Sequence, residues 1–419
     1  MPTHKKSELA ALNEKKLAAR NEKKLAARNE KKLAACNENK LAAHFLLVPH
    51  LELSPPNDAI SRAYSALGYD VEHFAPDSPN SQVNSIDYSH LSSVAYGYRW
   101  LLLNALHPRW ARYDAFSCTS EDPIAIAGVL AFIWRKPLIF LSDEIKTKSY
   151  AGNRSARWKK LCRWAMRRAA LTIVNDEARV DLQKEYADLS QDQAITVYPG
   201  CFLQPPKADD KITLRRLWEV QADQYVLGFS GGCNLTSGVD WALESLDKYQ
   251  QLAFITQPLA FDGMSKYLLQ NHRHAQRIYV QDTFMSWQES WSSMGGVDIG
   301  VAIYNNPSEQ FQLMGISSNR LCMFLAMGVP VIVNKQASFQ FVEDYHCGIM
   351  VESSEQFSAA LGVILSDLTT MQANALKCTR EYIDTQGKYQ NLLNEFALAL
   401  DVTIPLSNTH DDMNTSADD

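Results

Sequence analysis

The sequence lacks the patterns that mark several common classes of protein. Its eight cysteines are scattered and form no CxxC pair, which disfavours a zinc site and a disulfide framework and favours a reduced compartment. The longest apolar run, Ile124–Trp134, has about half the length that a membrane-spanning helix needs. The first residues are rich in Lys and Glu, unlike a secretory signal. We therefore expect a cytoplasmic protein that does not cross a membrane.

Positive charge is scarce in most of the chain. Residues 1–44 carry 11 Lys and Arg against 5 Asp and Glu, whereas the rest of the chain carries 30 against 42. A body this acidic is a poor general binder of nucleic acid, so we expect no nucleic-acid partner. Residues 401–419 hold five acids and no Lys or Arg, which predicts an acidic, disordered tail.

An eight-residue unit is repeated near the N-terminus, at Asn13–Arg20, Asn21–Arg28, Asn29–Cys36 and Asn37–His44. Its Ala, Leu, Lys and Glu residues predict a helical arm over residues 1–43. Eight residues overshoot two helical turns by about 80°, so the leucines wind around the helix and a coiled coil is disfavoured. A tandem expansion with little role is the preferred interpretation. The alternative is a basic arm that touches anionic lipid or a partner.

Strand and helix patterns alternate over residues 44–198, which predicts a doubly wound α/β domain. A buried strand is predicted at His44–His50 and a helix at Asp58–Leu67. Ligands of such sheets bind at the carboxyl ends of the strands. The loop after the first strand holds His50 and Asn57, which are candidate binding residues, although a lone histidine there could also be structural.

Asp143 and Glu144 stand at the end of another predicted strand, PLIFLSDE. Either carboxylate could orient or deprotonate an acceptor hydroxyl, so both are catalytic candidates. The alternative is that one of them only caps the next helix.

A basic helix is predicted at Arg154–Arg168. Trp158, Leu161, Trp164 and Ala165 fall on one helical face, and cations surround that face. The helix could lie on an anionic membrane surface, which would place the protein on the inner face of the membrane. The alternative is that its apolar stripe packs on the sheet while the cations extend to solvent.

Strand–helix alternation restarts in a second domain over residues 199–385. Gly231 and Gly232 follow its first strand, where glycine lets the backbone approach a phosphate. The residues Ser317, Ser318, Asn319 and Arg320 stand at a predicted helix start. Helix N-termini favour anions, so this segment is a candidate seat for a diphosphate, with Arg320 as its cation. The alternative is an N-cap followed by a surface arginine.

The segment Ser317–Val333, SSNRLCMFLAMGVPVIV, is similar to the nucleotide-sugar element of GT-B glycosyltransferases. The segments ITVYPGC, YDAFSCTS and FVEDYHCGIMV also resemble that family, within its bacterial polysaccharide and glycoprotein enzymes. The resemblance implies two Rossmann-like domains facing a cleft. The second domain would bind the donor. The first would bind the acceptor, with His50 and Asn57 on the acceptor side, and a final helix, residues 386–400, would cross back to the first domain.

The sequence departs from this family at charged positions. Two glutamates that many retaining relatives carry are replaced here by Gly315 and Met323, and an Arg and a Lys are replaced by Gly232 and Ser237. Arg320 would then offset the charge of the leaving group largely alone.

Substitute donor ligands are expected at two strand ends. Tyr304 and Asn305, followed by Asn306, end the strand VDIGVAI. Thr283 and Phe284 follow the strand at Tyr279–Gln281, where the family places its nucleobase contacts. Each could instead be a loop residue without a ligand.

The leading hypothesis is transfer of a sugar from a nucleoside-diphosphate sugar to a glycan, lipid-linked or protein-linked acceptor, without a bound metal or other cofactor. An inactive GT-B subunit that supports a partner glycosyltransferase is the main alternative. A sugar-nucleotide epimerase would need more carboxylates and histidines than the sequence places at the site. Assembly into a homo-oligomer is an alternative that the sequence leaves open.

Overall fold

The computed structural model describes residues 40–48, 54–76, 92–145, 155–231, 235–257, 269–281 and 285–404. These residues form two parallel sheets, each with helices on its faces. Buried parallel sheets of this kind arise where apolar strands alternate with helices along the chain. The predicted helical arm lies almost entirely before the described residues, and nearly all of the predicted acidic tail lies after them.

The first sheet has seven strands in the order β3-β2-β1-β4-β5-β6-β7. They are β1 (Lys40–Phe45), β2 (Tyr69–Ala75), β3 (Ser92–Ser93), β4 (Ala115–Thr119), β5 (Leu138–Ser142), β6 (Leu171–Val174) and β7 (Ile195–Val197). Its helices are α1 (Pro55–Ala66), α2 (Tyr98–Asn104), α3 (Glu121–Trp134), α4 (Ala156–Met166) and α5 (Val180–Ala187). Residues of α2, α3 and α4 share one core on one face of this sheet, whereas α1 packs on the other face.

The second sheet has six strands in the order β10-β9-β8-β11-β12-β13. They are β8 (Tyr225–Ser230), β9 (Leu252–Gln257), β10 (Ile278–Val280), β11 (Ile299–Ala302), β12 (Val331–Asn334) and β13 (Gly348–Val351). Its helices are α6 (Lys211–Leu217), α7 (Val239–Lys248), α8 (Trp287–Met294), α9 (Asn319–Ala326), α10 (Gln340–Asp344), α11 (Ser354–Ser366) and α12 (Leu368–Cys378). The order of strands reverses beside β8, as it does beside β1 in the first sheet, and such switch points form ligand crevices.

The last helix, α13 (Thr385–Ala399), lies against the first sheet's domain. Its Leu392 and Phe396 are buried in the same core as α1, and the ring of Phe396 meets that of Tyr64 edge-on at 5.2 Å. The chain therefore returns to its first domain after completing the second.

The first strand differs from its prediction. It spans Lys40–Phe45, not His44–His50, so it takes four residues from the predicted arm. Ala42 and Ala43 are buried on opposite faces of the sheet, and their small side chains let helices pack closely on both. Burial between β2 and β4 here overrides the helix propensity of the sequence.

The basic helix predicted at Arg154–Arg168 is present in the structure. It is α4, and its Trp158, Cys162 and Ala165 are buried inside the domain. The indole of Trp158 donates a hydrogen bond of 2.8 Å to Asp122 of α3. Part of the apolar stripe is thus used for internal packing, whereas Leu161 and Trp164 are half-buried. Among the described residues, no helix is both long and apolar enough to cross a membrane.

Candidate functional site

A cavity of about 350 Å³ lies between the carboxyl ends of the two sheets. The first domain contributes Glu144, and the second contributes Gly231, Tyr304, Asn319 and Arg320. The remaining lining residues are Ser230, Met285, Ser286, Trp287, Ser290, Trp291, Met314, Ser317 and Met323. The structure therefore brings one predicted catalytic residue and four predicted donor-binding residues into one space.

Arg320 is the second residue of α9, and its side chain reaches back to the first strand of its sheet. Its guanidinium carbon lies 4.3 Å from the ring centre of Phe229 and 5.4 Å from that of Tyr304. Gly231 permits this approach, because a Cβ there would lie 3.1 Å from the guanidinium and its φ of +88° is rare for other residues. The aromatic faces orient a cation towards the cavity.

The start of α9 is fixed by Ser318, its N-cap. The Ser318 hydroxyl accepts a hydrogen bond of 3.0 Å from the backbone of Leu321 and is also bonded to the hydroxyl of Tyr304. Ser318 is buried, and among the polar residues of this turn it is Ser317, Asn319 and Arg320 that line the cavity. The free N–H groups and dipole of a helix start favour an anion in such a place.

Asp143 and Glu144 have different settings. The Asp143 carboxylate accepts a hydrogen bond from Ser120 and another of 2.8 Å from the backbone N–H of Glu144. Asp143 thus shapes the turn after β5, while Glu144 lines the cavity. Of the two predicted carboxylates, Glu144 has the setting in which an acceptor hydroxyl could be deprotonated.

Arg179 joins the two domains and was not singled out from the sequence. It is 3% exposed. Its guanidinium donates hydrogen bonds to the carbonyls of Asp143 at 2.9 Å, Leu313 at 3.0 Å and Gln310 at 3.1 Å. Burial lowers the pKa of Arg179 from its ordinary value. Because all three of these acceptors are backbone carbonyls, no sequence motif predicts this contact.

Asp176 explains one departure from the family pattern. Its carboxylate accepts hydrogen bonds from the backbone of Ala178 at 2.8 Å and of Ile316 at 2.7 Å. Burial raises its pKa to about 6. A Cβ at Gly315, where φ is +41°, would collide with this carboxylate. A glutamate at position 315 is therefore incompatible with this packing, and a carboxylate from the first domain occupies that space.

Asn57 and Asn305 are not among the residues that line the cavity. Asn57 is buried in α1, and its amide oxygen is 3.0 Å from the imidazole of His44. The second nitrogen of that imidazole lies 2.7 Å from the hydroxyl of Ser117, and burial lowers the pKa of His44 to about 3. Asn305 is exposed, and its N–H donates to the carbonyl of Thr236 at 2.6 Å. The surroundings of Asn57 indicate a structural role, and both site assignments stay predictions.

Four other predicted site residues, His50, Gly232, Thr283 and Phe284, lie outside the described residues. The start of α8 was missed as part of the site. Ser286 caps this helix and shares a capping box with Glu289, and Ser286, Trp287 and Ser290 line the cavity. The S-x-x-E pattern after a strand could have placed it there. Within the described ranges, no group of three or more His, Cys, Asp or Glu residues could hold a metal ion.

Comparison with known proteins agrees with this architecture. Residues 298–395 match the family described as "Glucosyltransferase 3-like, C-terminal domain". No curated protein matches the chain in sequence. The solved structure of Anabaena HepE in complex with UDP-glucose is similar to this chain, with a TM-score of 0.64 and 15% identity, over 85% of this chain and 99% of that one.

Two further solved structures have the same fold. A glycosyltransferase from Rickettsia africae has a TM-score of 0.62 and 12% identity, over 87% of this chain and all of its own. WaaG, a glycosyltransferase involved in lipopolysaccharide biosynthesis, has a TM-score of 0.57 and 13% identity, over 84% and 98%. The chain therefore has the GT-B fold, and the predicted fold class is confirmed.

Proposed function

We propose that this GT-B chain transfers a sugar from a nucleoside-diphosphate sugar to a glycan, lipid-linked or protein-linked acceptor. The observation that carries the proposal is the shared cavity, in which Glu144 of one domain faces the start of α9 and Arg320 of the other. The glucosyltransferase 3-like match and a structural neighbour that binds UDP-glucose support a uridine nucleotide as the donor.

In this proposal the diphosphate lies at the start of α9. The helix N-terminus and the guanidinium of Arg320 stabilise the negative charge that develops on the leaving group. Glu144 accepts the proton of the acceptor hydroxyl or orients that hydroxyl. No metal and no cofactor besides the co-substrate takes part. The protein would act in the cytoplasm, in the synthesis of cell-surface polysaccharide or glycoconjugate.

The first test is calorimetric titration of the protein with UDP and with GDP. We expect UDP to bind, and Arg320→Ala to weaken binding by about tenfold to a hundredfold, because hydrogen bonds to charged groups contribute about 1.5–3 kcal/mol. Arg380→Ala changes an exposed arginine that does not line the cavity, and this variant should bind UDP like the parent. Equal affinities of the two variants for UDP would show that the diphosphate does not bind at this helix start.

The second test separates an enzyme from an inactive subunit. We expect the parent protein to release UDP from a UDP-sugar, and Glu144→Gln to reduce that rate by about 10²–10⁴-fold while UDP still binds. Glu185→Gln, an exposed glutamate of α5, is the matched control. A parent protein that binds UDP but turns over no UDP-hexose would favour the inactive subunit that supports a partner glycosyltransferase.

A further inference from the structure

The backbone of Ser120 has a conformation that serine rarely adopts. Its φ is +74° and its ψ is 173°, a region populated almost only by glycine because a Cβ is crowded there. Arg135 and Asp188, which end two helices with φ of +53° and +55°, lie in the milder left-handed region. Ser120 directly follows β4 and precedes α3, so this strain lies at the carboxyl end of the first sheet.

The adjoining helix does not explain why a serine stands at position 120. Serine is favoured before a helix because its hydroxyl accepts a hydrogen bond from a free N–H of the first turn. The hydroxyl of Ser155 accepts such a bond at the start of α4, whereas that of Ser120 accepts none from α3. Glycine would also suit the backbone better. Another contact of Ser120 therefore has to account for its position.

That contact is with Asp143. Ser120 is fully buried, and its hydroxyl donates a hydrogen bond to the Asp143 carboxylate at the end of the neighbouring strand β5. The backbone N–H of Ser120 donates to the carbonyl of Leu141 at 3.0 Å, which keeps the two strand ends together. The same carboxylate oxygen of Asp143 accepts the backbone N–H of Glu144 at 2.8 Å. One oxygen therefore links the Ser120 hydroxyl to the backbone of Glu144.

The other side of Glu144 is fixed by the second domain. The backbone N–H of Ile145 donates a hydrogen bond of 2.8 Å to the side-chain oxygen of Gln310, which is buried. Of residues 143–145, Glu144 is the one that lines the cavity. The turn that carries this carboxylate is thus held on both sides by side chains from distant segments.

We propose that Ser120 is a positioning residue, whose hydroxyl holds Asp143 and, through it, the turn that presents Glu144 to the cavity. A strained backbone persists where surrounding contacts fix it, and such residues cluster at functional sites. A reacting carboxylate gains from this support, because a displacement of about 1 Å can lower a rate by about a hundredfold. The inference rests on the proposed function, in which Glu144 acts on the acceptor hydroxyl.

Ser120→Gly and Ser120→Ala test this role in the full chain. Both variants lose the hydroxyl, but glycine accommodates the backbone, so the glycine variant should unfold at the higher urea concentration. We expect kcat for UDP release from a UDP-hexose to fall by about tenfold in both variants alike, while their affinity for UDP stays that of the parent. A purely structural role would instead make activity follow stability.

Ser117→Ala is the matched control. Ser117 lies in the same strand and is equally buried, and its hydroxyl is 2.7 Å from Nδ1 of His44. Its loss should lower stability and leave kcat unchanged. Hydrogen exchange, measured by mass spectrometry, adds a readout besides activity. A peptide covering residues 138–145 should exchange about tenfold faster in Ser120→Gly than in the parent, and at the parent rate in Ser117→Ala.

Three results would overturn the proposal: a parent kcat in Ser120→Gly, a kcat that is lost only in the alanine variant, or unchanged exchange of this peptide. Glu144→Gln separates these outcomes from failure of the proposed function. If Glu144→Gln keeps the parent rate, or if the parent releases no UDP, the proposed function fails and the positioning role fails with it. If Glu144→Gln lowers the rate and Ser120→Gly does not, only the positioning role fails.

Discussion

At the scale of single residues, the site depends on Arg320, which lines the cavity, and on Asp176, whose carboxylate accepts a hydrogen bond from the backbone of Ile316 just before α9. Arg320 was identified because a cation at a helix start has a direct electrostatic meaning. Asp176 was not, because its partners are backbone N–H groups, one of them 140 residues further along the chain. Its burial against Gly315 nevertheless has a measurable consequence for stability.

Asp176 should make stability depend on pH. Its pKa is raised from 3.8 to about 6 in the folded protein, so between these values the folded state keeps a proton that the unfolded state releases. Stability therefore falls as pH rises from about 4 to 6, by about 3 kcal/mol in total. Asp176→Asn removes this contribution. The free energy of unfolding of the variant, measured in urea, should therefore rise relative to that of the parent as pH rises over this range.

Asp176→Asn also loses a hydrogen bond, which changes its free energy of unfolding by a similar amount at every pH. The slope of the free energy of unfolding against pH is therefore the quantity to compare. Asp181→Asn, an exposed carboxylate of α5, should follow the parent profile. Parallel profiles for Asp176→Asn and the parent would mean that this carboxyl titrates at its ordinary pKa.

At the scale of elements, the last octapeptide copy shows how context decides secondary structure. Its residues Lys40–Ala43 repeat the pattern KLAA of the earlier copies, which predicts a helix. Lys40–His44 nevertheless form most of β1. The copy differs at its end, where His44 replaces the Arg20, Arg28 and Cys36 of the other units. His44 is buried between Ser117 and Asn57, a place that an arginine would not fill without leaving a buried charge.

Truncation should therefore be sharply position-dependent. A protein without residues 1–36 keeps β1 whole and should unfold with the same free energy as the parent, within about 0.5 kcal/mol. A protein without residues 1–45 loses a strand between β2 and β4 and should not fold. Circular dichroism and urea unfolding measure both. A marked loss of stability in the shorter deletion would show that the earlier copies contribute to the fold.

At the scale of the whole molecule, the relation between the two domains depends on buried contacts far apart in the chain. Arg179 holds the backbone after β5 against residues 310–313, and Gly200 donates to the carbonyl of Ile316 at 2.8 Å. These contacts lie beside Glu144 and just before α9, so they set the distance across the cavity.

Arg179→Lys should loosen the contact between the two domains, because an ammonium group cannot donate to three carbonyls with the planar geometry of a guanidinium. On the proposed function, kcat should fall by about tenfold or more while the KM for the donor changes little, since the donor residues lie in the second domain. Steady-state rates of sugar transfer measure both, with the exposed Arg168→Lys as control. A raised donor KM with an unchanged kcat would place Arg179 in donor binding instead.

The sequence by itself determined the two α/β halves, nearly all of their strands, and the segment that begins α9. These follow from local patterns, since apolar strands, helix caps and glycines act within a few residues. Only the tertiary structure decided that Lys40–His44 becomes a strand, that Trp158 of α4 is buried, and that Asp176 and Arg179 join the domains. Those outcomes depend on burial and on backbone hydrogen bonds between distant segments, and such contacts leave no periodic signal in a sequence.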